Sequence, residues 1–329
     1  MLSESSDIFA LTVSERLDMV AALRDPNRLV EPLPGGLTNE NFKVTTATGT
    51  YVARLSRPSS HLLGIDRDGE YRNSLAAADS GVAPAVVAYA PEAAVLSIEW
   101  LEGRTLTAAD LGSTEVLRSV AESCRALHSG PSFSADFDMF DVSNRYLDTI
   151  MARGFRLPDR YLDFTPAWDR IRTVLSMDAP AAVPCHNDLL AANFIDDGAR
   201  LWLIDYEYAG NNDPCFELGN MWSEANLGDA ELVVLVDFYY GEHRPDMVAR
   251  ARLQALVSQY GWTLWGAIQQ SVSSLDFDFW AWSMEKYERA VSTFEGPHFA
   301  DLLGAVATGP RTAPTATEFR STTEKEKSQ

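Results

Sequence analysis

Along the chain, apolar and polar positions first follow a two-residue rhythm. Phe42 and Val44 alternate with polar neighbours, Thr48-Gly49 offers a turn, and Tyr51, Ala53 and Leu55 then alternate with Val52 and Arg54. Alternation on both sides of a turn predicts a β-hairpin. Over 66–80 the spacing of Tyr71, Leu75 and Ala78 is helical, and Gly81 followed by Pro84 stops that helix. Segments 85–90 and 94–100 read as two more strands, and 99–104 as a linker broken by Gly103. Beyond it, Val116, Leu117, Val120, Ala121, Cys124 and Leu127 form an apolar helix stripe ending at His128-Ser129-Gly130, with His128 read as a helix-terminal or packing residue.

This pattern predicts an α+β, bilobal chain. A small β-rich lobe covers 1–101, a larger and mainly helical lobe covers 102–307, and a tail over 308–329, rich in Thr, Pro and charge, is expected to be disordered. A chain of 329 residues with 46% hydrophobic content can bury two such lobes around a cleft. A formal charge of −20 argues against nucleic acid or an anionic membrane as partner and would attract a cation, although acidity serves solubility equally well. There is no apolar run of bilayer length and no basic, apolar leader, which reads as a cytoplasmic protein. Cys124, Cys185 and Cys215 stand at no metal-ligand spacing, so neither disulfides nor zinc are expected.

The chemistry concentrates in Cys185-His186-Asn187-Asp188-Leu189-Leu190-Ala191-Ala192-Asn193, followed by a second hairpin. Asp197-Gly198 is its turn signal, pairing Phe194-Ile195 with 201–204 and bringing Asn193 and Asp205 together at the open end. Both carry oxygen ligands of the kind Mg²⁺ takes, and Asp188 lies five residues before Asn193. Phosphoryl transfer needs such a set: metal ions against the phosphates, and a carboxylate to orient the acceptor hydroxyl and take its proton. Asp188 is the candidate base. Upstream, the Gly35-Gly36 pair permits close approach of backbone N–H groups to phosphate oxygens. Glu70 can reach Arg54, the strand-to-helix ion pair that orients phosphates in kinases.

Together these residues resemble the choline/ethanolamine kinase branch of the aminoglycoside phosphotransferase-like kinases, which have a protein-kinase-like fold. The resemblance runs from Gly35 to about Glu288. It is carried by Gly35-Gly36-Leu37-Thr38-Asn39, the Arg54 strand, Glu70, the His186 to Asn193 run, Ile204-Asp205-Tyr206-Glu207-Tyr208-Ala209-Gly210 and Glu217-Leu218-Gly219-Asn220. It implies an ATP-dependent transfer to the hydroxyl of choline, ethanolamine or a related amino alcohol. Asp188 would be the base, Asn193 and Asp205 would hold Mg²⁺, and Glu207 would assist a second metal. Gly36, Thr38, Asn39, Arg54, Glu70 and the linker residues Glu99 and Leu101 would bind ATP. Glu224, nineteen residues after Asp205, would lie at the acceptor end.

For the acceptor itself, Trp262 and Trp265 stand three apart on one helix face, followed by Phe277 and Trp282. Aromatic faces attract a quaternary ammonium by roughly 0.5 to 2 kcal/mol per desolvated contact, so these four predict a cation cage. One departure stands out. After Asn220 the family often has His-Phe and later a tyrosine, whereas Met221-Trp222-Ser223-Glu224-Ala225-Asn226 follows here, so a protonated amine would find acceptors in Glu224 and Asn226. Two rivals remain open. An aminoglycoside or other small-hydroxyl kinase would turn Trp262 and Trp265 into the core, and a pseudokinase would turn over no acceptor. The partners reduce to Mg·ATP and the amino alcohol, with a homodimer left open.

Overall fold

The computed structural model describes residues 8–308, so the expectation for the tail lies outside the described residues except at Thr308. In the first lobe, α1 (Val13–Asp18) opens with a capping box between Thr12 and Glu15. Strands β1 (Leu29–Leu33), β2 (Asn39–Thr46) and β3 (Gly49–Ser56) are followed by α2 (Arg67–Asp79), β4 (Val86–Ala90) and β5 (Val95–Glu99). The strands form one antiparallel sheet in the order β1-β2-β3-β5-β4. The expected hairpin is there, with Thr46 opposite Gly49. β1 was not expected, since Pro32 interrupts its pattern. It sits at the sheet edge, where a missing N–H is tolerated. Val44, Ala53, Leu55 and Val95 are buried against Leu17, Val20 and Leu23 of the N-terminal segment.

The second lobe begins with β6 (Arg104–Thr105), α3 (Thr114–His128), α4 (Met139–Arg153) and α5 (Thr165–Ser176). Four short strands follow: β7 (Val183–Cys185), β8 (Phe194–Asp196), β9 (Leu201–Leu203) and β10 (Gly210–Asn212). Helices α6 (Pro214–Glu224), α7 (Asp229–Tyr240), α8 (Pro245–Val272), α9 (Phe279–Phe294) and α10 (Phe299–Ala307) complete it. One apolar cluster joins α3, β8, β9 and α7, and it also takes in Ala77, Val82 and Ala83, so α2 and the segment after it are cemented to the larger lobe. A second cluster, rich in aromatic side chains, joins α4, α5, α8, α9 and α10. The β8–β9 hairpin closes with four residues rather than two, since Asp196 pairs with Leu201. The Asp197 carboxylate ties that turn by accepting from the Ala199 and Arg200 amides and from Trp202 Nε1. The three cysteines are buried and free. Among the described residues, no helix is long and apolar enough to cross a membrane.

Candidate active site

The 186–193 loop leaves β7 with Asn187 in the left-handed region at φ 66°. Asn, with a short polar side chain, adopts that conformation at lower cost than most residues. Its Nδ2 is placed against the carbonyls of Tyr208 at 3.0 Å and of Cys185 and Gly210 at 3.2 Å. His186 Nε2 donates to the Ile204 carbonyl at 2.8 Å, while its Nδ1 accepts from the Asp188 amide at 3.3 Å, which assigns the neutral Nε2–H tautomer. From α6, the Glu217 carboxylate accepts the His186 and Asn187 amides at 2.9 and 2.7 Å, and Asn220 Oδ1 accepts the Leu189 amide at 3.1 Å. The intervening Gly219 lets α6 lie against α8, because a Cβ there would meet the Ala251 carbonyl oxygen at 2.1 Å. Burial alone would push Glu217 up. The hydrogen bond and charge of His128, with the hydrogen bond donated by the His186 amide, hold it below the ordinary glutamate range.

On the front of the loop, Asn193 Nδ2 donates to the Asp188 carbonyl at 2.7 Å, which leaves Asn193 Oδ1 to a ligand. The Ile204 amide bonds the Asn193 carbonyl at 3.0 Å, so Asp205, two residues beyond the end of β9, follows directly on a contact with Asn193, as expected. Arg54 bridges Asp205 and Glu70, with 3.1 Å to the latter, so the expected strand-to-helix ion pair is formed. Glu207 accepts from Thr38 Oγ1 at 2.8 Å and Asn39 Nδ2 at 3.0 Å, and pairs with Arg67 at 3.1 Å. Arg67 also pairs with Glu70 at 2.6 Å. Thr38 and Asn39 therefore tie the Gly35-Gly36 turn, with φ of 86° and 79°, to the second lobe. Burial and the charge of Asp205 push Glu207 up to about 7, with Arg67 pulling it back. Asp188 is also pushed well above its ordinary range, by burial first and then by Glu224, Asp205 and Glu207, while Lys286 pulls it down. Among the described residues, none donates a hydrogen bond to its carboxylate.

Whether Mg²⁺ fits can be judged from the donor set. Asn193 Oδ1 and the Asp205 and Glu207 carboxylates are hard oxygen donors, and Glu207 is buried with the Asp205 carboxylate near enough to raise its proton affinity further, a pairing of acids that a bound cation would relieve. They fit. Glu99 ends β5 exposed, with its amide on the Ala85 carbonyl at 2.9 Å, and Leu101 is half-buried on the linker beyond it.

At the other end of the site, Trp262 and Trp265 do share one face of α8, and both touch Tyr208. The Trp262 ring is edge-on to it at 4.9 Å, and Trp265 Nε1 donates to its hydroxyl at 2.7 Å. Both tryptophans are buried, at 4% and 6% exposure, within the aromatic cluster of the lobe. Trp282 lies 5.1 Å from Trp265 and is half-buried. Phe277 is 41% exposed and packs on Phe279, one ring removed from Trp265. Glu224 ends α6 in an ion pair with Lys286 of α9 at 2.5 Å. Sequence reasoning missed Lys286, Arg67 and Tyr208. The only available signals were the four-residue step from Trp282 to Lys286 and the place of Tyr208 inside the Asp205 run. Asn226, in the left-handed region at φ 52°, is exposed just beyond α6.

A loop aspartate, an asparagine and a second aspartate on a hairpin, and an arginine–glutamate pair on the facing sheet define the site of a kinase-like phosphotransferase. The chain belongs to the phosphotransferase enzyme family, which matches residues 29–256. It is 26% identical over 246 residues to Protein LicA of Haemophilus influenzae, covering 72% of each chain. It is 28% identical over 256 residues to ethanolamine kinase 2 of Mus musculus, covering 68% of this chain and 65% of that one. Among solved structures, a choline/ethanolamine kinase family protein from Mesorhizobium loti superposes with a TM-score of 0.78 at 28% identity, over 93% of this chain and all of the other.

Proposed function

We propose that the protein transfers the γ-phosphoryl group of ATP to the hydroxyl of a small amino alcohol of the choline and ethanolamine class. The observation that carries this reading is Asp188, on the loop that Asn193 closes, whose proton affinity is raised by burial and then by the charges of Glu224, Asp205 and Glu207, with Lys286 opposing. A base there would take its place between phosphates held near Asp205 and Glu207 and an acceptor held near Glu224. Asn193, Asp205 and Glu207 would hold Mg²⁺, which when bound supplies positive charge against the β- and γ-phosphates. Arg54, oriented by Glu70, would exchange its Asp205 contact for phosphate oxygens. Gly36, Thr38 and Asn39 would cover the nucleotide, with Glu99 and Leu101 at the linker. Asp188, whose raised proton affinity suits it to accept a proton, would take the one released by the acceptor hydroxyl. Glu224 and Trp282 would face the amine, with Trp262 and Trp265 forming the wall behind Tyr208.

One observation favours the rival acceptor, an aminoglycoside or other small hydroxyl compound: Trp262 and Trp265 are turned into the core. The test separates the two. ADP release is followed with Mg·ATP against choline, ethanolamine, their methylated intermediates and several aminoglycosides, with Asp188→Ala in parallel. Turnover that depends on an amino alcohol and falls by about 10² to 10⁴ in the variant is expected. Turnover with aminoglycosides alone, or with no acceptor, overturns the assignment.

A further inference from the structure

A cation already occupies the features read as the acceptor's ammonium site. Lys286 lies one helical turn after Trp282 on α9, and its Nζ is 4.1 Å from the centroid of the Trp282 ring. The same ammonium is 2.5 Å from both carboxylate oxygens of Glu224. It is 5% exposed, so the contact is desolvated rather than a loose surface pair. Glu224 and Trp282, the acid and the half-buried ring of the acceptor end, are thus both engaged by the protein's own side chain.

We propose that Lys286 is a resident cation that sets acceptor selectivity, admitting compact amines that carry N–H groups and discriminating against trimethylammonium. This rests on the amino-alcohol reading. A quaternary ammonium has no N–H to donate and depends on aromatic faces, so it competes with Lys286 for Trp282 and brings a second positive charge close to the first. A primary ammonium has three donors. A carboxylate accepts at about four lone-pair positions, so a primary ammonium can share Glu224 with Lys286, or turn to Asp188, without needing the ring.

The experiment compares kcat/KM for choline with that for ethanolamine in the wild-type protein, Lys286→Met and Lys286→Arg. A ratio taken within one protein cancels any loss of folded enzyme. Lys286→Met is expected to raise the choline to ethanolamine ratio by about tenfold or more, chiefly through a lower KM for choline. Lys286→Arg, which keeps the cation, should stay within about threefold of wild type. A ratio unchanged in Lys286→Met, or shifted equally in both variants, overturns the proposal. Should Lys286→Met fail to fold with Glu224 left buried and unpaired, the double variant Glu224→Gln/Lys286→Met frees the ring without leaving a charge, and its ratio must still rise. If the wild-type protein and both variants melt cooperatively and are stabilised by Mg·ATP, yet release ADP with neither amine, the amino-alcohol reading itself has failed. The selectivity role then falls with it. Turnover with an unmoved ratio sinks Lys286 alone.

Discussion

Asp188 belongs to the 186–193 loop and Glu217 of α6 packs against it, and burial ends in opposite results for these two acidic side chains. Glu217, behind the loop, accepts two backbone amides and lies 3.5 Å from His128, and its proton affinity falls. Asp188, in front, faces three other carboxylates, and its proton affinity rises. The back of the loop is a satisfied network that fixes backbone. The front keeps unbalanced charge for something that has yet to bind, as sites that trade stability for function do.

The largest way to break this contrast is Glu217→Ala. It strands two buried loop amides and the His128 contact, with an expected loss of about 3 to 5 kcal/mol in denaturant unfolding and a parallel loss of turnover. The pH dependence follows from the sign of the shift. A depressed folded-state pKa contributes stability that is fully present above the unfolded value of about 4.5 and lost as pH falls through the folded one, so the variant should show a flatter stability profile in that acid range. An unchanged acid limb would place the stabilisation elsewhere.

Gly36→Ala probes the front. At φ 79° a Cβ would meet the Asn39 carbonyl oxygen at 2.7 Å, so a penalty of about 1 to 3 kcal/mol is expected, together with a higher KM for Mg·ATP than for the acceptor. Equal effects on both KM values would detach this turn from the nucleotide. The smallest effect has the opposite sign. Asp188→Asn removes a carboxylate whose raised pKa makes its charge a burden at neutral pH, so unfolding should become harder by about 1 kcal/mol while turnover collapses. A variant that melts lower would show that the charge is compensated.

Much of this was legible in the sequence because it is local. The β2–β3 hairpin, α2 with its Gly81 stop and the delivery of Asp205 to Asn193 each follow from periodicity, a turn or a register within a few dozen residues. The Arg54–Glu70 pair joins neighbouring elements and could be anticipated for the same reason. What escaped was of two kinds. β6, β7 and β10 are two or three residues long, too short for any alternation to register. The Glu224–Lys286 pair spans 62 residues and depends on α6 and α9 meeting across α8, which no local pattern encodes. The tryptophan pair was found from its helical spacing, but spacing says which residues share a face, not how deeply that face is buried.

The three free cysteines carry a last consequence. All are buried, and burial pushes each thiol above its ordinary range, so almost no reactive thiolate exists while the chain is closed. A thiol-modifying reagent therefore acts as a clock for opening. Cys185 immediately precedes His186, so the rate at which it is modified times how often the base of the 186–193 loop comes apart.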